Sequence, residues 1–229
     1  MQNEEFDICY SINIFLSNDY ERYNKKIKNI DLINENVLVI KDLIDNLIYF
    51  NKKYKIIIML NGCKELDYNI KLINTIKSYK NVLLKTNSGK RFWGHYSILG
   101  GYIENYNFMK QKKINYKYLI LLTGNCYLVK QFNLENLNFD NKINPKIKKK
   151  FHFKQMYERN KNIYNFFKKI NFHKYSTCFH HEGVCYPIKK VDKIFNFIFE
   201  KFHNKKDFIE RSDFNNSYNF IAEETLLPL

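Results

Sequence analysis

Tyr54-Lys55-Ile56-Ile57-Ile58-Met59-Leu60-Asn61-Gly62 is the stretch from which the fold is read. Its apolar core is unbroken, three of its residues are β-branched, and it stops at Asn-Gly. A strand covered on one face alternates apolar and polar residues, whereas one covered on both faces reads as a continuous apolar run. The spacing therefore predicts a strand over Tyr54 to Leu60, inside a sheet with helices on both sides. Working outward, Ile8 to Phe15 and Tyr118 to Leu122 read the same way, with shorter strands at Asn81 to Lys85 and Gly183 to Ile188. Between them lie helical patterns: Asp19 to about Ile30, Asp42 to Phe50, Leu66 to Tyr79, Tyr96 to Lys110, Val191 to Phe202, and a final start at Ala222 to Leu227. Strands alternating with helices predict an α/β fold with a mainly parallel sheet flanked by helices. The 229 residues are expected to form a single domain, with 131–175 a polar, basic excursion from the sheet.

The chain carries a formal charge of +15, with 45% hydrophobic and 17% aromatic residues, so it has material for a core and is not compositionally disordered. That charge invites a nucleic-acid partner, but the lysines are scattered. The one dense run is Lys146-Ile147-Lys148-Lys149-Lys150, and arginine is limited to Arg22, Arg91, Arg159 and Arg211. A polyphosphate footprint gathers basic and aromatic residues on one stripe, so nucleic acid is not the favoured partner. Nucleotide diphosphates, anionic glycans and anionic membrane surfaces suit the charge equally. The five cysteines, Cys9, Cys63, Cys126, Cys178 and Cys185, are odd in number and widely spaced. This is no disulfide framework, and a reducing compartment is expected. With no apolar stretch near the roughly 20 residues of a span, the reading is cytoplasmic, attached at a membrane surface at most. Oligomeric state is not legible.

In open α/β sheets, ligands collect at the carboxyl ends of the strands. That rule singles out Asn61-Gly62, Arg91 to Ser97 and Thr123 to Cys126 as candidate site segments. Gly100-Gly101, inside a predicted helix, suggests close packing against a backbone or a ligand.

Four segments in order resemble the core-2/I-branching β-1,6-N-acetylglucosaminyltransferase and xylosyltransferase family. Ile8 to Ile14 is similar to its opening strand beside the nucleotide. Asn81-Val82 with Arg91-Phe92-Trp93-Gly94-His95-Tyr96-Ser97-Ile98 resembles its Trp-Gly segment. Tyr118 to Tyr127 resembles its strand ending in Ser-Gly. Ala222-Glu223-Glu224-Thr225-Leu226-Leu227 resembles the segment carrying its catalytic carboxylate. With His181-Glu182-Gly183-Val184-Cys185-Tyr186, these matches span nearly the whole chain.

The resemblance implies a GT-A-like sheet and inverting transfer from a nucleotide diphosphate sugar, a UDP-sugar by expectation, to a glycan hydroxyl, with no metal or other cofactor. Such transfer requires a base for the acceptor hydroxyl and positive charge for the departing diphosphate. By position Glu224 is the base, with Glu223 beside it; the same pair also suits the first turn of a helix. Donor contacts are expected from Ser11, Asn13, Asn61, Arg91, Trp93, His95, Thr123, Gly124 and Asn125, and acceptor contacts from His181 and Glu182. Trp93 can equally be a core aromatic, His95 a surface residue, and Glu182 the partner of a lysine.

The chain departs from the family pattern at Cys126 and Leu128, where the family has Asp and Pro, and it ends at Leu229 without the basic residues that follow the family's glutamate. Either Lys90, Arg91 and Lys130 replace them, or the chain is shortened and weak or inactive in transfer. There is no Asp-x-Asp motif: Asp140 and Asp192 stand alone. Cys178, His180, His181 and Cys185 do not match a common zinc spacing, and Cys126 with His95 is a weaker nucleophile–base pairing. The alternative reading is a non-catalytic basic module that binds nucleic acid or an anionic glycan.

Overall fold

The computed structural model describes residues 4–14, 30–62, 70–86, 97–124, 126–131, 133–136, 168 and 184–202. Among the described residues, five strands form one sheet: β1 (Glu5–Ile14), β2 (Ile56–Gly62), β3 (Val82–Lys85), β4 (Asn115–Thr123) and β5 (Cys185–Pro187). Among the described residues the α-helices are α1 (Ile30–Phe50), α2 (Ile70–Lys77), α3 (Ser97–Gln111) and α4 (Ile188–Phe202). The strand order is β3-β2-β1-β4-β5, which makes the first strand the centre of the sheet. β1 pairs in parallel with β2 and β4, and β2 in parallel with β3. β5 runs antiparallel to β4, so the sheet is mixed and mostly parallel.

Each face of the sheet carries its own core. Ile8, Tyr10, Ile12, Ile58, Leu60 and Leu122 pack under Val37, Ile40, Leu43, Ile44 and Leu47 of α1 and Ile76 of α2. Cys9, Ile57, Met59, Leu119 and Leu121 pack under Leu99, Tyr102, Tyr106 and Met109 of α3 and Val191, Phe195 and Ile198 of α4. Neighbouring residues of one strand thus serve opposite layers, as the pleat requires. Ile56 to Leu60 are all buried, as the uninterrupted run predicts. At Cys9, burial removes water from the thiol and raises its pKa.

α1 begins at Ile30 and not at Asp42, and it runs 21 residues as one helix. Val37, Ile40, Leu43, Ile44 and Leu47 are buried while Leu38 and Val39 face outward. Inside the sequence that periodicity is masked, because Val37 to Ile40 is a continuous apolar run with no polar residue to mark the exposed side. The predicted helix from Asp19 up to Asn29, the excursion beyond residue 136 apart from Lys168, and the final helix from Ala222 lie outside the described residues. Among the described residues no helix is long and apolar enough to cross a membrane.

Candidate functional site at the carboxyl edge of the sheet

From β1 the chain passes to β2 and β3 on one side and returns to β4 on the other. Connections leave the sheet in opposite directions at this point, and in open α/β sheets the crevice between two such strands is where ligands settle. The carboxyl ends that flank it are Asn13-Ile14 and Thr123-Gly124, with Asn13 directly beside Thr123.

The register builds a polar row there. Lys85 pairs with Asn61, Asn61 with Asn13, and Asn13 with Thr123, so four adjacent parallel strands end in four polar side chains. One row inward are Leu83, Met59, Ser11 and Leu121, apolar except for Ser11. Period-two alternation puts both rows on the α3 face.

α3 crosses this edge, bonding the strands in sequence. Asn13 Nδ2 donates to the Ile98 carbonyl at 2.9 Å, and Asn61 Nδ2 donates to the Gly101 carbonyl at 3.2 Å. Lys85 Nζ donates to Glu104 Oε2 at 3.1 Å, and Asn61 Nδ2 lies 3.3 Å from the same oxygen. The three helix positions are three residues apart, a rise of about 4.5 Å, close to the roughly 4.8 Å between strands. Gly101 is buried and its carbonyl is met by the Asn61 side chain of β2. Deeper in, Asn105 Nδ2 donates to Ser11 Oγ at 2.9 Å, and Tyr102 OH donates to the Leu122 carbonyl at 3.1 Å. Two carbonyl oxygens in this seam, Asn13 Oδ1 and Asn105 Oδ1, are buried with no hydrogen-bond partner among the described residues. The first turn of α3 brings the positive end of its dipole to the same edge.

On the other side of the crevice, Thr123 Oγ1 and Cys126 Sγ lie 3.1 Å apart, and the Cys126 amide donates to the Thr123 carbonyl at 3.1 Å. The segment then lies along α1. Asn46 clamps Leu128 by both backbone groups, accepting from its amide at 2.8 Å and donating to its carbonyl at 3.0 Å. Tyr127 OH reaches the Val39 carbonyl at 3.1 Å. Cys185, on the antiparallel edge, has its thiol pushed up to about 12 by burial, so it is neutral at physiological pH.

Of the residues expected at the donor, the structure brings Ser11, Asn13, Asn61, Thr123 and Gly124 together at one edge. Ser11, Asn13 and Asn61 are no more than 1% exposed, held beneath α3. Arg91, Trp93, His95, Asn125, His181, Glu182, Glu223 and Glu224 lie outside the described residues, as do Lys90, Cys178 and His180. Lys130 is exposed on the segment after β4. Lys85, Glu104 and Asn105 join the site without having been singled out. The signal for Asn105 was present: it lies seven residues after Ile98, on the helix face that looks at the sheet.

A Cβ on Gly124 would sit 3.7 Å from the Asn13 carbonyl oxygen and 3.8 Å from Ile14 Cα, ordinary contact distances. The fold therefore does not require glycine there. Gly124→Ala is expected to change unfolding free energy by no more than about 0.5 kcal/mol, measured by denaturant titration. A ligand resting on this backbone would still lose affinity. No family model, no curated protein and no solved structure matches this chain.

Proposed function

We infer that the chain is a GT-A-like inverting glycosyltransferase, moving a sugar from a nucleotide diphosphate sugar to a glycan hydroxyl. Glu224 acts as base, and the segments Arg91–Ser97 and Thr123–Asn125 bind the donor. The observation that carries this reading is the reversal of strand order between the parallel neighbours β1 and β4, whose carboxyl ends carry Asn13 and Thr123 side by side. It is the part of an α/β sheet suited to a nucleotide, and two of the segments on which the family resemblance rests, Ile8 to Ile14 and Tyr118 to Tyr127, meet there.

The chemistry divides between the parts. Thr123 and Gly124 at the end of β4 orient the donor, lysines and Arg91 offset the charge of the departing diphosphate, and Glu224 takes the proton of the acceptor hydroxyl as the new bond forms. On the acceptor side, His181 and Glu182 hold sugar hydroxyls.

A panel of uridine, guanosine and cytidine diphosphates tests the reading by melting temperature. One of them at about 100 times its dissociation constant should stabilise the fold by roughly 2.7 kcal/mol, a rise of roughly 5–10 °C for a chain of this size. No shift from any of the three, together with steeply salt-dependent binding to DNA or RNA, would replace the enzyme with a basic binding module.

A further inference from the structure

We propose that the amino edge of the sheet, at the far end of the strands from the candidate site, is the face by which this protein docks on an anionic lipid membrane. It stands independently of the nucleotide-sugar reading, because it uses none of the same residues.

The lysines are scattered along the sequence, but the parallel topology gathers them. A helix that leads into a parallel strand ends at the amino edge, so the helix-to-strand connections share one rim. Lys77 and Lys80 precede β3, Lys52 and Lys53 precede β2, and Lys112 and Lys113 precede β4, and all six are exposed. β5 runs the other way, so its Pro187 end lies beside Tyr118 and delivers Lys189, also exposed, to the same rim. In the order β3-β2-β1-β4-β5 the row covers four strand spacings, about 19 Å.

Acids on this rim stand on the central strand, and neighbouring lysines take them up. Lys55 Nζ lies 2.6 Å from Glu4 Oε1, and Lys117 Nζ lies 2.9 Å from Asp7 Oδ1 and 3.8 Å from Glu5 Oε2. None of the six lysines that precede β2, β3 and β4 has an ion-pair partner among the described residues. Their charge faces outward.

Lys113 adds an independent sign. Its φ is 54°, in the left-handed region. The Lys113 amide donates to the Lys110 carbonyl at 3.0 Å and the Ile114 amide to the Met109 carbonyl at 3.1 Å, so Lys113 closes α3 at the position glycine fills most easily. A side chain there carries strain that glycine would not, and what this one adds is a charge on the rim.

The make-up of the rim favours lipid over nucleic acid. A nucleic-acid face sets arginine forks and free aromatic rings beside its positive charge. Among the described residues every cation of the rim is a lysine, a point charge on a flexible stem that suits the diffuse potential of a lipid surface. Tyr49, exposed in the last turn of α1, has Lys52 Nζ 4.4 Å from its ring centroid, which keeps that face of the ring from a stacking base. An exposed tyrosine beside a lysine matches the headgroup level of a bilayer. Docked this way, the carboxyl edge opens toward water.

The test is co-sedimentation of the full chain with phosphatidylcholine vesicles containing about 30% phosphatidylglycerol, at about 0.1 M salt. The chain should bind these vesicles, ignore pure phosphatidylcholine, and be released at about 1 M salt, where the screening length falls to about 3 Å. Each lysine near such a surface contributes roughly fivefold, so Lys53→Gln with Lys113→Gly should weaken binding roughly ten- to thirtyfold. The melting temperature of that variant should be no lower, since glycine relieves the backbone at residue 113. Lys71→Gln with Lys130→Gln removes the same charge away from the rim and should weaken binding by less than about threefold. Equal losses from the two pairs would mean that affinity follows total charge, and the proposal falls. It falls also if the unaltered chain ignores the anionic vesicles. A rim pair that weakens binding to single-stranded RNA but leaves vesicle binding unchanged would make the rim a nucleic-acid surface instead.

Discussion

Glu224→Gln should lower glycosyl transfer by about 10²- to 10⁴-fold, the range in which a positioned general base contributes, with nucleotide binding and melting temperature unchanged. The amide keeps the size and the hydrogen-bonding reach of the carboxylate but cannot hold the proton of the acceptor hydroxyl. Glu223 is a poor substitute if the helix expected from Ala222 forms, because consecutive residues of a helix do not share a face. Glu223→Gln should therefore cost much less. Radiolabelled sugar transfer under single-turnover conditions separates chemistry from product release. Turnover within twofold of the unaltered enzyme, in a Glu224→Gln protein that still binds nucleotide, would remove the base from the mechanism. Equal losses from both substitutions would point instead to a pair of carboxylates that stabilises a helix.

How far the fold could be read ahead of the structure depended on whether burial left a mark in the local pattern. β2 is legible because both of its faces are covered, and Ile56 to Leu60 could hardly be polar there. The amino-terminal third of β4 was missed. Asn115, Tyr116 and Lys117 alternate exposed, buried and exposed at the rim of the sheet, and only Tyr116 contributes an apolar residue. The reach of α1 back to Ile30 was hidden for the opposite reason, an excess of apolar residues at Val37 to Ile40. That β5 runs antiparallel is set by tertiary packing: three residues of strand carry no sign of direction. For the site, the rule that ligands gather at carboxyl ends found Asn61, Thr123 and Gly124 from strand ends alone. The fact that Asn13 and Asn61 carry α3 on their amide nitrogens depends on a helix some 40 to 85 residues away. No local pattern encodes a contact at that separation.

Asn13→Asp tests that contact most severely. The substitution changes one atom, replacing the Nδ2 that donates to Ile98 with an oxygen. When protonated, the new group can donate in the same place, so at low pH the variant should resemble the unaltered chain. When ionised, it sets a fully buried carboxylate against a carbonyl oxygen, which desolvation and repulsion both oppose. The folded-state pKa of the introduced carboxyl group therefore rises above the unfolded value of about 3.9. Above that pH the unfolded chain releases a proton that the folded chain keeps, so stability falls as pH rises, by about 1.4 kcal/mol per unit until the folded pKa is reached. The first turn of α3 offsets up to about 1 kcal/mol of this through its dipole. What remains by pH 7 is a loss of about 3 kcal/mol, a melting temperature lower by roughly 6–12 °C for a chain of this size. The comparison is the difference between variant and unaltered protein at each pH, so losses shared by both on acidification cancel. Among those are the losses from Asp7 and Asp45, whose carboxyl groups are held below their ordinary pKa by bonds and nearby charges that include Lys55 and Lys117 for Asp7 and Lys41 for Asp45. A difference that grows from near zero at pH 4 is the expected result. A difference that is flat across pH would mean that the carboxylate finds donors in the folded state, and that Asn13 does not stand against the Ile98 carbonyl.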